Sequence, residues 1–369
     1  MTIDLSGPDI TQAEIDAVAE VLKSGRLSLG PAVDRFERAV AAFVGVKHAI
    51  AVSSGTSGLH LLMRAIGIER DDEVVTTPFS FVASSNCVLY EGGKPVFVDI
   101  DPQTWNIDPE RVAAAVSPRT QAVIPVNVFG QPADMDAIRS AASSRGLRVI
   151  EDSCESLGAA WKGRMSGALA DAGVFGFYPN KQITTGEGGM ITTDDDEIDR
   201  LCRSMRNQGR DTGMSWLSHE RLGYNYRLSD VACAIGAVQM QRIDEILAKR
   251  TRVANWYRQR LASESRLTTQ TIRDECRMSW FVFVIKLADD YGENDRAAMI
   301  EKLRARGIGC SNYFAPIHLQ PFYRERFGHR EGDFPICERV AARTIALPFH
   351  GRLTESDVDR VCETLRSVL

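Results

Sequence analysis

The chain has 369 residues, with 44 basic against 49 acidic for a net charge of −5, 44% hydrophobic and 25% charged. This describes a globular chain of about two domains, long enough to bury about three quarters of the surface its unfolded form exposes. It excludes a disordered tail or a fibre. No stretch approaches the roughly 20 apolar residues of a bilayer span, and the start MTIDLSGPDI has no apolar signal core, so a cytoplasmic protein is expected. The eight cysteines lie at least 25 residues apart without a C-x-x-C pair, which argues against a zinc ribbon or disulfide scaffold. Of the basic residues 36 are arginine and eight lysine, at 23, 47, 94, 162, 181, 249, 286 and 302. Chemistry that needs a primary amine therefore has few candidates.

A capping box, Thr11-x-x-Glu14, opens the first helix and Gly25 closes it. A second helix spans 32–43. HAIAV (48–52) reads as a strand, SSGTSG (53–58) as a turn and LHLLMRAI (59–66) as a buried helix. The alternation continues with strand 73–77, helix 82–90, strand 95–100, helix 108–116, strand 122–126, helix 135–145 and strand 148–152. Such alternation predicts βαβ units and a doubly wound, mostly parallel sheet. VFGFY (174–178) and MITTD (190–194) read as strands around a glycine-rich loop. A long helical pattern covers 230–261, an apolar strand 279–287 and a helix 296–306, and a final helix begins at Thr354 with Asp357 completing its cap. The expected organisation is a large α/β domain over 1–240 and a smaller α+β domain over 241–369.

Three segments carry possible chemistry. SSGTSG lies between a strand and an apolar helix, where N–H groups and the helix N-terminus favour an anion such as phosphate; the alternative is a plain capped βα turn. No G-x-G-x-x-G occurs, which weighs against a nicotinamide cofactor. RVIEDSCESLGA (148–159) ends a buried strand on two carboxylates. Neighbours on a strand face opposite ways, so Glu151 and Asp152 cannot both serve one site. The one that does would lie where α/β sheets bind ligands. Among the lysines, seven read as solvated. Lys181 is the only charged residue between Ala172 and Gly186, and loss of solvation there favours a neutral, nucleophilic amine of the kind used in Schiff-base chemistry. An amine, a carboxylate and an anion cradle are the requirements of pyridoxal 5′-phosphate: a lysine for its aldehyde, an acid at its pyridine nitrogen and a site for its phosphate.

The motifs extend this reading. LKSGRLSLGPAVDRFE (22–37), AVSSGTSGLHLLMRAIGI (51–68), DEVVTTPFSFVASSNCV (72–88), VIEDSCESLGA (149–159), FYPNKQITTGEGGMITTDD (177–195), GYNYRLSDVACAIGAVQMQRID (223–244) and NYFAPIHLQPFY (312–323) occur in order across nearly the whole chain. Together they resemble the pyridoxal-phosphate sugar aminotransferases of the DegT/DnrJ/EryC1/StrS family. The resemblance implies a fold-type I architecture, with a mostly parallel seven-stranded sheet in the large domain. It implies that Lys181 forms the internal aldimine, that Asp152 pairs with the pyridine nitrogen and that Glu155, where the family often has glutamine, approaches the phenolic oxygen. Phe81 would stack on the ring, and Gly55, Thr56 and Ser57 would form the phosphate site. Asn225 would reach the phosphate of the other subunit of a homodimer, and Arg227, Tyr313 and His318 would face the substrate. Read from its own segment, Phe81 is a core residue, Asn225 a turn residue and His318 a hydrogen-bonded loop histidine.

Two positions depart from the family pattern. Gly176 stands where a serine commonly reaches the phosphate. Glu155 adds a negative charge beside an oxygen that is itself often anionic, so one of the two should carry a proton or a strong hydrogen bond. The expected reaction is transfer of an amino group from an amino acid, glutamate first, to a keto group of a nucleotide-diphosphate-linked hexose, with a cyclitol or other keto sugar, or a sugar dehydration, as alternatives. A lysine at 181 speaks against the dehydratases, which typically carry histidine there. The remaining histidines show no metal-ligand spacing, so no metal is predicted. The net charge of −5, without a helix-turn-helix beside a basic stripe, argues against a nucleic-acid partner, and no membrane partner is expected.

Overall fold

The computed structural model describes residues 2–211, 213, 215 and 217–369. Its first helix, Gln12–Ser24, is set by local chemistry: Thr11 and Glu14 exchange the capping bonds and Gly25 ends the helix at φ 69°. The next helix, Pro31–Val44, buries Phe36 and Val40 on one stripe. That stripe packs on Asp230–Gln241, where Gly236 leaves room for the Phe36 ring: a Cβ there would come within 2.6 Å of it.

Seven strands form the main sheet, in the order His48–Val52, Gly189–Thr193, Ala172–Gly176, Arg148–Asp152, Thr120–Ile124, Glu73–Thr76 and Lys94–Phe97. The last five are mutually parallel, and Gly189–Thr193 runs antiparallel to both of its neighbours. Side chains alternate between two buried faces. Ile50, Val52, Ile150, Val174 and Ile191 pack with the helices Gly55–Ala65 and Asp196–Arg206. On the opposite face Ala49, Ala51, Phe175 and Met190 pack with Pro31–Val44 and Asp230–Gln241. Helices on both faces explain why these strands read as near-continuous apolar runs. A three-stranded antiparallel sheet, Leu267–Thr269, Phe283–Leu287 and Thr344–Leu347, forms a second core with Ile243–Leu261, Glu293–Ala305 and Glu355–Arg366. Among the described residues no helix is long and apolar enough to cross a membrane.

Several boundaries differ from expectation. The helical pattern over 230–261 is two helices, broken at Arg242 (φ −102°, ψ 7°), whose guanidinium binds Asp9 and Glu14. Only the first two residues of SSGTSG precede a helix, because Ser54 caps a helix that already starts at Gly55. Pairing in the 279–287 segment begins at Phe283. Before it, Ser279 N–H donates to Gly130 and ties the segment to the large sheet's loops.

Candidate active site

Arg148–Asp152 brings its carboxylates to the end of the parallel sheet and its alternation separates them. Glu151 is fully buried and accepts from the N–H groups of Gly167 and Leu169 and from Asn127. Burial raises its pKa against those hydrogen bonds. Asp152 faces the other way, into a cavity of about 700 Å³. Ser84 donates to its Oδ2 at 2.7 Å and Cys154 N–H to its Oδ1 at 3.2 Å.

Lys181 enters the same cavity from the loop joining Ala172–Gly176 to Gly189–Thr193. Its side chain is 16% exposed, its Nζ is 3.6 Å from Glu155 Oε1 and 3.9 Å from the centroid of the Phe281 ring. Glu155 also accepts from Phe129 N–H at 2.9 Å. Burial raises the Glu155 pKa, and Lys181 opposes the shift without reversing it. The shift is in the direction that eases the charge conflict expected at this position. Of the other lysines, Lys23, Lys47, Lys94 and Lys162 have side chains at least 53% exposed. Two depart from the solvated reading: Lys249 is held by Asp9 and Glu245, and Lys286 is half-buried, its pKa lowered by burial.

The anion cradle is partly as expected. Ser54, Gly55 and Thr56 line the cavity at the start of the helix Gly55–Ala65, where the first N–H groups have no intrahelical acceptor. A Cβ at Gly55 would lie 2.7 Å from Cys154 Sγ, so only glycine lets the chain pass this close. Ser57 does not line the cavity: its N–H and hydroxyl close the capping box on Ser54 and it is 5% exposed. Gly176 lies beside this turn, its missing side chain faced by Cys154. The residues fit pyridoxal phosphate: an amine, a carboxylate and a helix N-terminus line one cavity whose glycines keep it open.

Phe81 is 64% exposed and lines the cavity, whereas Phe79 two residues earlier is fully buried. The core reading therefore belongs to Phe79. Tyr313 also lines the cavity. His318 does not, and its substrate-facing assignment is corrected: it is fully buried against Glu338, 2.9 Å away, and lies edge-on to Phe334. Arg227 turns to Asn207 at 2.9 Å, and Asn225 is exposed outside this chain's cavity on a bridge to Asn207. Sequence reasoning missed Ser84 and Phe281. Ser84, one helical turn after Phe81, had a spacing signal; Phe281 reaches Lys181 from 100 residues away and had none. The 208–224 segment includes 212, 214 and 216, which lie outside the described residues.

The model of the DegT/DnrJ/EryC1/StrS aminotransferase family matches residues 8–366. The chain belongs to this family. It is an enzyme, a sugar aminotransferase. It is 39% identical to the spore coat polysaccharide biosynthesis protein SpsC of Bacillus subtilis, covering 98% of this chain and 96% of that protein. It is 40% identical to the GDP-perosamine synthase of Caulobacter vibrioides, covering 100% and 98%. The solved structure of Spr1654 from Streptococcus pneumoniae in its PLP-form superposes with a TM-score of 0.95 at 26% identity, covering 100% of this chain and 98% of that one. The same protein has been solved in a PMP-form. The fold is accordingly that of the pyridoxal-phosphate sugar aminotransferases.

Proposed function

We propose that the enzyme uses pyridoxal phosphate to move an amino group from an amino acid, glutamate first, to a keto group on a nucleotide-diphosphate-linked hexose. The observation that carries this reading is the convergence of Lys181, Asp152 and the Gly55–Thr56 helix start on one cavity. The GDP-perosamine synthase relative supports a nucleotide-linked sugar as the acceptor. When bound, pyridoxal phosphate supplies an aldehyde for the amine and a ring that accepts electron density.

The chain's own residues divide the remaining work. Lys181 Nζ, once freed, moves a proton to and from the substrate α-carbon as base and acid. Asp152, fixed by Ser84 and Cys154 N–H, holds the proton of the ring nitrogen. Phe81 covers one ring face, and the N–H groups at Gly55 and Thr56 take the phosphate. Glu155, held by Phe129 N–H and beside Lys181 Nζ, stands by the phenolic oxygen. Tyr313 borders the substrate side. Asn225, exposed outside its own cavity, completes the phosphate site of a second copy, so the working unit is a homodimer.

Glutamate added to cofactor-loaded protein should shift its absorbance to that of the amine form, and a keto sugar nucleotide should reverse the shift. Lys181→Ala should abolish turnover. A loaded protein whose spectrum responds to no amino donor would sink the aminotransferase assignment. Mixing Lys181→Ala with Asn225→Ala should restore part of the activity if the site is shared between copies.

A further inference from the structure

Arg250, in the middle of the helix Ile243–Leu261, is 3% exposed and makes no ion pair among the described residues. Buried cations ordinarily need a carboxylate. This one instead donates to three backbone carbonyls: Lys181 O at 2.6 Å, Asn180 O at 3.1 Å and Phe281 O at 3.4 Å. Its other face lies 5.5 Å from the centroid of the Phe349 ring. Burial lowers its pKa to about 10, so it remains charged at neutral pH.

The three carbonyls come from two chain segments whose side chains meet inside the cavity. Asn180, Lys181 and Phe281 all line it, and the Lys181 amine rests on the Phe281 ring. The loop that carries Lys181 and the segment that carries Phe281, 100 residues apart, are joined on one side by Gln182, whose amide donates to Ser279 O at 3.0 Å; Arg250 is the tie that reaches the Lys181 and Phe281 backbones themselves. A guanidinium has a planar fork that can hold both segments at once, which an ammonium on a shorter reach cannot reproduce.

We infer that Arg250 is a positioning residue, clamping the Lys181 and Phe281 backbones from behind so that the amine is presented in one place. The inference rests on the assignment of Lys181 as the reactive amine. It concerns how the chain holds that amine and not which sugar is used.

Two variants of the loaded enzyme test it. Arg250→Met removes the charge and all donors while keeping the apolar stem; Arg250→Lys keeps the charge but cannot span both segments. Both should still bind pyridoxal phosphate, since Asp152 and the Gly55 turn are untouched. The fraction of cofactor captured on Lys181, read by borohydride reduction and peptide mass, should fall several-fold. Turnover, kcat, should fall at least tenfold with the KM for the amino donor within about threefold, Arg250→Lys being the milder. A general folding defect would instead lower the active fraction and leave kcat per captured cofactor unchanged, which overturns the clamp. Wild-type capture and kcat in Arg250→Lys also overturn it, even if Arg250→Met fails to fold. Retained activity in Lys181→Ala would instead refute the underlying assignment, so the two failures are distinguishable.

Discussion

Replacing Ser84 by alanine isolates one contact of Asp152. The Ser84 hydroxyl has a single proton and three oxygens within reach: Asp152 Oδ2 at 2.7 Å, Ser80 Oγ at 2.7 Å and the Phe81 carbonyl at 3.1 Å. The proton goes to the carboxylate, the strongest acceptor, and Ser80 then donates to Ser84. Ser84 is fully buried and does not line the cavity, so the place of its hydroxyl is closed to bulk water. A hydrogen bond to a charged group contributes about 1.5–3 kcal/mol. After the substitution the carboxylate keeps Cys154 N–H at 3.2 Å, and Ser80 loses an acceptor. We expect Ser84→Ala to cost the cofactor-free protein about 2–3 kcal/mol in chemical denaturation at neutral pH, with an unchanged slope. Ser80→Ala, which removes only the neutral bond, should cost about 0.5–1.5 kcal/mol. In the loaded enzyme a loosened Asp152 should lower kcat by about tenfold, the equivalent of about 1.4 kcal/mol. A Ser84→Ala protein that loses less than about 0.5 kcal/mol and keeps wild-type kcat would refute the argument, because something else would then be holding Asp152.

Three further substitutions probe other parts of the fold. Burial alone would raise the Glu37 pKa, but Arg206 and Arg203, at 2.5 and 2.7 Å, hold it below the usual carboxylate value. A carboxyl lowered on folding contributes stability above its unfolded pKa that is lost as pH falls through the folded one. Glu37→Gln should therefore flatten the acid limb of the stability curve while costing about 3 kcal/mol at neutral pH, where it takes the ion pair from Arg206 and leaves Arg203 with Asp199 alone; denaturation across the pH range reads both effects. Gly130 has φ 103° and a Cβ there would sit 1.8 Å from Ser279 O, so Gly130→Ala should cost about 3 kcal/mol or more, seen as lost soluble protein or a lower Tm. A Cβ at Gly176 meets Cys154 only at 3.4 Å, so Gly176→Ser should fold. It should tighten pyridoxal phosphate about tenfold through one charge-assisted hydrogen bond; a weaker dissociation constant at wild-type Tm would show that the family's serine is not what this site lacks.

Features set by neighbouring residues were legible in the sequence. The Thr11–Glu14 and Thr354–Asp357 caps, the strands His48–Val52 and Arg148–Asp152, and the opposite fates of Glu151 and Asp152 all follow from periods of 2 or 3.6 and from local hydrogen bonding. What misled was a tertiary demand on a local pattern. The helical periodicity through 230–261 is continuous, yet Arg242 interrupts it to reach Asp9 and Glu14, more than 220 residues earlier. SSGTSG has the composition of a turn, yet Ser54 and Ser57 use their hydroxyls to start a helix. That start places N–H groups, rather than the Ser57 side chain, at the cavity. His318 sits in a motif that suggests a substrate contact, and burial against Glu338 and Phe334 removes it.

The scarcity of lysine has a structural counterpart. Apart from Lys249 on Asp9 and the half-buried Lys286, buried cationic work among the described residues falls to arginine: Arg242 on Asp9 and Glu14, Arg203 and Arg206 on Glu37, and Arg250 on three carbonyls. A guanidinium stays protonated and anchors through several fixed donors, whereas an ammonium loses its proton readily when buried and then becomes a nucleophile. Among the described residues Lys181 is the only lysine lining the cavity. An aldehyde bound there meets one primary amine, with an arginine fixing its backbone from behind. The compositional imbalance thus separates two tasks that the same charge performs: holding the loop, and reacting from it.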